Sequence, residues 1–135
     1  MRRLGGTYHA GDAAVADRLA PDIVMECTGA PALIAAILDR TAPGGILCLL
    51  GVTAPGHDVT LDIGRVNRTL VLDNDTIFGA VNANRRHYEM AATALEQADP
   101  AWLGALITRR VPPDRFVEAV ERHPGDIKVV IDFAT

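Results

Sequence analysis

Three short segments of small and polar residues have the composition of a ligand-binding edge. Residues 28–31 are Thr-Gly-Ala-Pro, residues 52–54 are Val-Thr-Ala and residues 80–82 are Ala-Val-Asn, and each follows an apolar, strand-like run. In a doubly wound sheet, ligands bind in the crevice outside the carboxyl ends of the strands. The glycine permits close backbone approach, and a helix starting at Pro31 would offer N–H groups to an anion or a ribose. The pattern predicts a ligand site, although ordinary small-residue turns would give it too.

Two charged segments are further candidates. Asn84 is a typical N-cap residue, yet Arg85 and Arg86 follow it in the first helical turn, where positive charge is unfavourable. This points either to an anion or partner subunit nearby or to a solvated basic face. Lys128 is the only lysine, and on an alternating strand it should face away from the side chains of its two neighbours. Position alone favours a solvated charge at the edge of a sheet.

Recognisable catalytic and metal-binding motifs are absent from the sequence. It contains no G-x-G-x-x-G, P-loop, H-E-x-x-H, C-x-x-C or G-x-S-x-G, and its four histidines are widely scattered. Cys27 and Cys48 lie in apolar runs, so we expect both in the core rather than in a disulfide. Glu26 lies in the same run as Cys27, and we expect it to be paired or to face the crevice.

Helical and extended patterns alternate along the chain. The predicted helices are residues 12–19, 32–40, 62–72, 84–98 and 113–122, and the predicted strands are residues 7–9, 23–27, 46–52, 76–81, 106–111 and 127–133. The continuous apolar run at 46–52 is typical of a parallel strand covered by helices on both faces. The alternation therefore predicts a doubly wound α/β fold, with a soft boundary near residue 106.

Composition excludes several classes of protein. The chain has 135 residues, of which 49% are hydrophobic, and a net charge of −4. That length suits one globular domain, and that charge argues against a nucleic-acid binder. The strictly apolar runs are short, five residues at 46–50 and seven at 32–38, far below the ~20 needed to cross a bilayer. We expect a cytoplasmic protein without a membrane or nucleic-acid partner.

Three segments carry a resemblance to a known family. Residues 23–31 (IVMECTGAP), 78–88 (FGAVNANRRHY) and 126–133 (DIKVVIDF) make the chain resemble the C-terminal part of the zinc-dependent, medium-chain glucose 1-dehydrogenases. The similarity runs over essentially the whole chain, and residues 78–88 are its most specific part. Members of that family oxidise glucose to gluconolactone with NADP or NAD as hydride acceptor.

The resemblance implies roles for individual residues. Residues 52–54 match a segment that lines the nicotinamide half of the cofactor, and residues 80–82 match a second cofactor segment. Asn82 also matches a residue that touches the sugar, and Lys128 matches a lysine that contacts the cofactor. Together with Thr28 from the first segment, the predicted cofactor-binding residues are Thr28, Val52, Thr53, Ala54, Ala80, Val81, Asn82 and Lys128. We assign no catalytic residue and no metal ligand.

Several parts of the family pattern have no counterpart in this sequence. These are the zinc-binding catalytic domain, the first two Rossmann strands and the glycine-rich turn. We therefore expect a fragment: an incomplete Rossmann-like sheet over residues 1–106, then a short α/β tail over 107–135 that would pack on the missing domain. The unpaired edge of residues 23–27 should make it prone to association, as a homo-oligomer or with a complementary chain.

Three interpretations remain open. The first is an enzyme by ancestry, acting on a glucose-like sugar, whose isolated chain is inactive. The second is a non-catalytic nucleotide-binding or interaction module that uses the same crevice. The third is one half of a split dehydrogenase whose other half supplies the zinc domain.

Overall fold

The chain divides into two compact units, Met1–Asn82 and Ala83–Thr135. The structure is a computed structural model, and it describes residues 6–10 and 13–134. None of the helices within these residues is long and apolar enough to cross a membrane.

The first unit alternates helices and strands. Its elements are α1 (Val15–Leu19), β1 (Ile23–Glu26), α2 (Pro31–Ile37), β2 (Ile46–Leu49), α3 (Ile63–Asp73) and β3 (Thr76–Gly79). The three strands form one parallel sheet in the order β1-β2-β3. This is the Rossmann-like α/β fold that the sequence predicts.

The core of the first unit is centred on β2. Leu47 and Cys48 are consecutive, so their side chains point to opposite faces of the sheet, and both are buried. Ile37 of α2 and Val66 of α3 are buried as well. Burial of β2 on both faces confirms the interpretation of its continuous apolar run.

Side-chain oxygens fix the start of α3 and the start of β3. The Asp62 carboxylate accepts a hydrogen bond from the N–H of the third helical residue, and the helix ends at Asn74 in the left-handed conformation. Asp75 then accepts hydrogen bonds from the Thr41 hydroxyl and the Gly45 N–H, both at 3.1 Å. These bonds tie the entry of β3 to the turn before β2.

The second unit is built around a two-stranded parallel sheet. Its elements are α4 (Arg85–Gln97), α5 (Pro100–Leu106), β4 (Ile107–Val111), a 3-10 helix (Pro113–Arg115), α6 (Phe116–Val120) and β5 (Lys128–Ile131). Strands β4 and β5 pair with each other, and Val111 of β4 is buried.

Arg109 of β4 organises the turn after α6. Its guanidinium donates to the carbonyl oxygens of Glu118 at 2.6 Å and Glu121 at 2.7 Å. It also donates to both carboxylate oxygens of Asp126, at 2.8 and 3.3 Å, and Asp126 accepts the His123 N–H at 3.0 Å. One side chain thus satisfies carbonyls at the end of a helix and pairs with an acid.

Some predicted elements differ from those observed. Residues 7–9 form no strand, and an isolated three-residue stretch gains no ladder hydrogen bonds to hold it extended. The predicted helix at 12–19 is observed from Val15, and Gly11 and Asp12 lie outside the described residues. The predicted helix at 113–122 is a 3-10 turn followed by α6. Helix α5 was not predicted.

The two cysteines lie in different environments. Cys48 is buried, as expected, whereas Cys27 is exposed. The prediction for Cys27 is wrong because β1 ends at Glu26, one residue earlier than the apolar run suggests. The predicted boundary at residue 106 concerns packing within a longer protein and stays a prediction.

Candidate functional site

The register of the sheet brings the three predicted segments to one edge. Glu26 pairs with Leu49, and Leu49 pairs with Gly79, so β1, β2 and β3 end in a row. Because the strands are parallel, the residues that follow them all leave the sheet on the same side. Segments 28–31, 52–54 and 80–82 therefore begin next to one another.

A cavity of about 410 Å³ opens at this edge, between the ends of β2 and β3. Its lining residues are Leu49, Leu50, Gly51, Val52, Thr53, Gly79, Ala80 and Val81. Four of them are predicted cofactor-binding residues, at positions 52, 53, 80 and 81. The side chains of Val52 and Val81 are about four-fifths exposed. A wall of glycine, alanine and open apolar side chains suits a flat ring that is bound mainly through shape and main-chain contacts.

The remaining predicted residues lie outside this lining. Asn82 directly follows the lining residue Val81, and Ala54 directly follows Thr53; both are exposed. Thr28 lies in the turn after β1. Lys128 is exposed at the start of β5 and belongs to the second unit. Their roles stay predictions.

The N–H groups of the first segment are occupied within the chain. The Glu26 carboxylate accepts the Thr28 N–H at 2.8 Å, the Thr28 hydroxyl, and the Gly29 N–H at 3.0 and 3.1 Å. The Ala30 N–H donates to the Thr28 hydroxyl at 3.1 Å, and Pro31 has no N–H. The turn itself therefore offers no free N–H group at residues 28–30. The expectation from the sequence concerns the first N–H groups of the helix that begins at Pro31, and it stays a prediction.

The turn after β1 presses directly against the exit of β2. Gly29 has a φ of +66°, and a Cβ placed on it would lie 2.7 Å from the Val52 carbonyl oxygen. A Cβ on Gly51 would overlap the Gly29 nitrogen and lie 2.7 Å from a Glu26 carboxylate oxygen. The Thr53 hydroxyl also donates to the Gly29 carbonyl oxygen. Only glycine at positions 29 and 51 allows this approach.

Glu26 is a buried and ionised group. Its side chain is 3% exposed, and all of its hydrogen-bond partners in the described part of the chain are neutral. Burial opposes ionisation, but hydrogen bonds from the Thr28 hydroxyl and from the N–H groups of Thr28 and Gly29 outweigh it. The pKa of Glu26 therefore lies below its ordinary value of 4.5.

Sequence reasoning missed how Glu26 is used. It was expected to be paired or to face the crevice; instead its carboxylate folds back onto the turn that follows it. The available signal was the spacing Glu-x-Thr-Gly, because a carboxylate can reach the N–H groups two and three residues on. Gly51, which lines the cavity, was missed as well.

Metal ligation finds no support in the described residues. Within residues 6–10 and 13–134, no group of three or more His, Cys, Asp or Glu side chains could hold a metal ion. The zinc that the resemblance implies does not fit the residues found there.

Contacts within α4 explain part of the unusual positive charge in its first turn. The Asn84 side chain caps the helix by accepting the His87 N–H at 3.1 Å. Arg85 forms an ion pair with Glu89 one turn later, at 2.7 Å. For Arg85, this exposed pair offsets part of the unfavourable position.

The chain matches one protein family over nearly its whole length. The family described as glucose dehydrogenase C-terminus matches residues 1–133. Glucose 1-dehydrogenase of Thermoproteus tenax is 40% identical over 140 residues, covering 100% of this chain and 39% of the relative. Glucose 1-dehydrogenase 2 of Vulcanisaeta moutnovskia is 38% identical over 136 residues, covering 98% and 38%.

A solved structure is similar over the same range. Haloferax mediterranei glucose dehydrogenase, in complex with NADP, Zn and gluconolactone, superposes with a TM-score of 0.88 at 29% identity. The match covers 99% of this chain and 39% of that one. The chain thus spans about two-fifths of the length of these relatives.

Proposed function

Because the chain belongs to the family of glucose dehydrogenase C-terminal regions, we propose that it binds an NADP-type dinucleotide at the edge formed by the ends of β1, β2 and β3. In this proposal the chain supplies the part of the cofactor site that lies at these strand ends, within an NAD(P)-dependent glucose 1-dehydrogenase. The complete reaction oxidises glucose to gluconolactone and transfers a hydride to the nicotinamide.

The observation that carries the proposal is the cavity at the sheet edge. It brings together Val52, Thr53, Ala80 and Val81, which come from two separate segments. The small side chains leave the main chain accessible, and the two valines provide an apolar surface for the nicotinamide ring. The presence of NADP in the Haloferax mediterranei structure supports NADP over other nucleotides.

The remaining roles follow the family resemblance. Asn82 would contact both cofactor and sugar, since an amide can donate to one partner and accept from the other. Lys128 would contact the cofactor from β5. Thr28 and Ala54 would lie at the rim of the same crevice.

We expect the 135-residue chain to bind the nucleotide without oxidising glucose. Hydride transfer from the sugar needs its hydroxyl activated, and the described residues contain no group that could hold zinc for that step. A non-catalytic nucleotide-binding module would share the cavity. Binding of NADP⁺ without turnover, even after a complementary chain is added, would favour that alternative.

Filling the cavity tests the proposal. We expect the chain to bind NADP⁺ in a calorimetric titration, and Ala80→Leu to weaken binding by at least about tenfold, because the larger side chain occupies the space of the ligand. Ala91→Leu is the matched control, since Ala91 is exposed on α4 and does not line this cavity. Absence of NADP⁺ binding by the wild-type chain, or equal affinities for both variants, would contradict the proposal.

A further inference from the structure

Glu26 joins the turn after β1 to the wall of the cavity. Its side chain binds the N–H groups of the turn, as described above. Its backbone carbonyl accepts the N–H groups of Leu50 at 2.7 Å and Gly51 at 3.0 Å, and both of these residues line the cavity. A single residue thus holds two neighbouring loops through two different groups.

A second tie completes the connection. The Thr53 hydroxyl donates to the carbonyl oxygen of Gly29, whose N–H donates to Glu26. The backbone of Gly29 is therefore held at its nitrogen by β1 and at its oxygen by the exit of β2. Movement of the 28–29 turn would shift Thr53, which is itself part of the cavity wall.

We propose that Glu26 is a positioning residue for the dinucleotide site, with its carboxylate holding the Thr28–Gly29 turn against residues 51–53 so that the cavity wall is formed before the ligand arrives. This inference rests on the proposed function. It assigns Glu26 no contact with the cofactor. It gives a role to a buried carboxylate that would otherwise be an expensive group to place in the interior.

Replacing the carboxylate with an amide distinguishes this role from mere burial of a polar group. Glu26→Gln keeps the size of the side chain but places an NH₂ group opposite the N–H donors of the turn, so at least one hydrogen bond becomes a donor–donor contact. Glu96→Gln is the matched control, because Glu96 is exposed on α4. Both variants are compared with wild type at a temperature where all three are folded.

Two measurements are made on each protein. We expect Glu26→Gln to bind NADP⁺ about tenfold more weakly and to exchange the amide protons of Thr28 and Gly29 faster, while the Leu47 amide in the middle of the sheet keeps its rate. A loss of overall stability alone would speed exchange at Leu47 too. Glu96→Gln should match wild type in both measurements.

The possible results separate the two claims. Wild-type affinity in Glu26→Gln overturns the positioning role and leaves the proposed function intact, whereas a wild-type chain that does not bind NADP⁺ overturns both. If Glu26→Gln does not fold, amide-proton exchange in the wild-type chain tests the positioning role instead. Slow exchange at Thr28 and Gly29 that NADP⁺ slows further supports the inference, and exchange at the rate of unprotected amides overturns it.

Discussion

The carboxylate of Glu26 makes its contribution to stability depend on pH. Its pKa is lower in the folded chain than the ordinary value of 4.5 expected after unfolding. A group of this kind stabilises the fold above the unfolded-state pKa, and the contribution is lost as the pH falls through the folded-state pKa. Acid should therefore loosen the turn after β1.

Comparing Glu26→Gln with wild type isolates this contribution from those of the other acids. At neutral pH we expect the variant to unfold more easily by about 1–3 kcal/mol, the cost of leaving a buried polar group unsatisfied. The difference in unfolding free energy should shrink as the pH is lowered below the ordinary pKa of a glutamate carboxyl, 4.5. Urea titrations followed by circular dichroism between about pH 7 and pH 3 measure it. A difference that stays constant over this range would contradict the assignment.

The sequence predicted the residues that line the cavity better than it predicted the role of Glu26. Val52, Thr53, Ala80 and Val81 follow apolar runs, and parallel strands must end at a common edge, so their proximity could be predicted. The inward turn of the Glu26 side chain could not, because the competition between burial and local hydrogen bonds depends on the conformation of the turn itself.

Among the elements, the strand–helix alternation was predictable because hydrophobic periodicity records it directly. Helix α5 was missed although Asp99 and Pro100 form a typical helix start: the Asp99 carboxylate accepts the Ala101 N–H at 2.8 Å, and Pro100 occupies the first helical position. The helix has only seven residues and includes Gly104, so its periodic signal is weak.

Residues 7–9 show the opposite error, a strand that was predicted but is not formed. An extended composition does not by itself supply a partner strand.

Arg109 connects β4 to the end of α6 and to Asp126, so we expect it to stabilise the second unit. We expect Arg109→Gln to lower the melting temperature of this unit by at least about 4 °C, because two helix-end carbonyls lose the guanidinium donor and the Asp126 carboxylate loses its ion-pair partner. The single tryptophan, Trp102, lies in the same unit, so its fluorescence reports the transition.

Arg115→Gln is the matched control for that experiment. In the described part of the chain, the Arg115 side chain forms one ion pair, an exposed one with Glu118 at 3.6 Å, and such pairs contribute little. Equal melting temperatures for the two variants would show that the Arg109 contacts do not stabilise the unit.

The unpaired side of β1 is the feature that affects how the whole molecule associates with other chains. In the described residues β1 pairs only with β2, and the side chains of Ile23 and Met25 are 63% and 62% exposed. An apolar strand with one side unpaired is a template for pairing with another chain.

We therefore expect the purified chain to self-associate as its concentration rises, and Ile23→Lys to reduce that association because edge charges disfavour strand pairing. Light scattering coupled to size-exclusion chromatography measures the effect. Val71→Lys is the control, since Val71 is equally exposed but lies on α3. A wild-type chain that stays monomeric at all concentrations would refute this prediction.

The close approach of Gly29 and Gly51 has an evolutionary consequence. Every codon change away from glycine adds a Cβ, and at these two positions the Cβ would meet backbone atoms of the neighbouring loop. Selection for folding alone is enough to retain both glycines, whether or not the proposed nucleotide is bound. Val52 is not constrained in this way, because its side chain is open to solvent. Its identity in related sequences would therefore report selection for the proposed ligand, whereas the two glycines would report only selection for the fold.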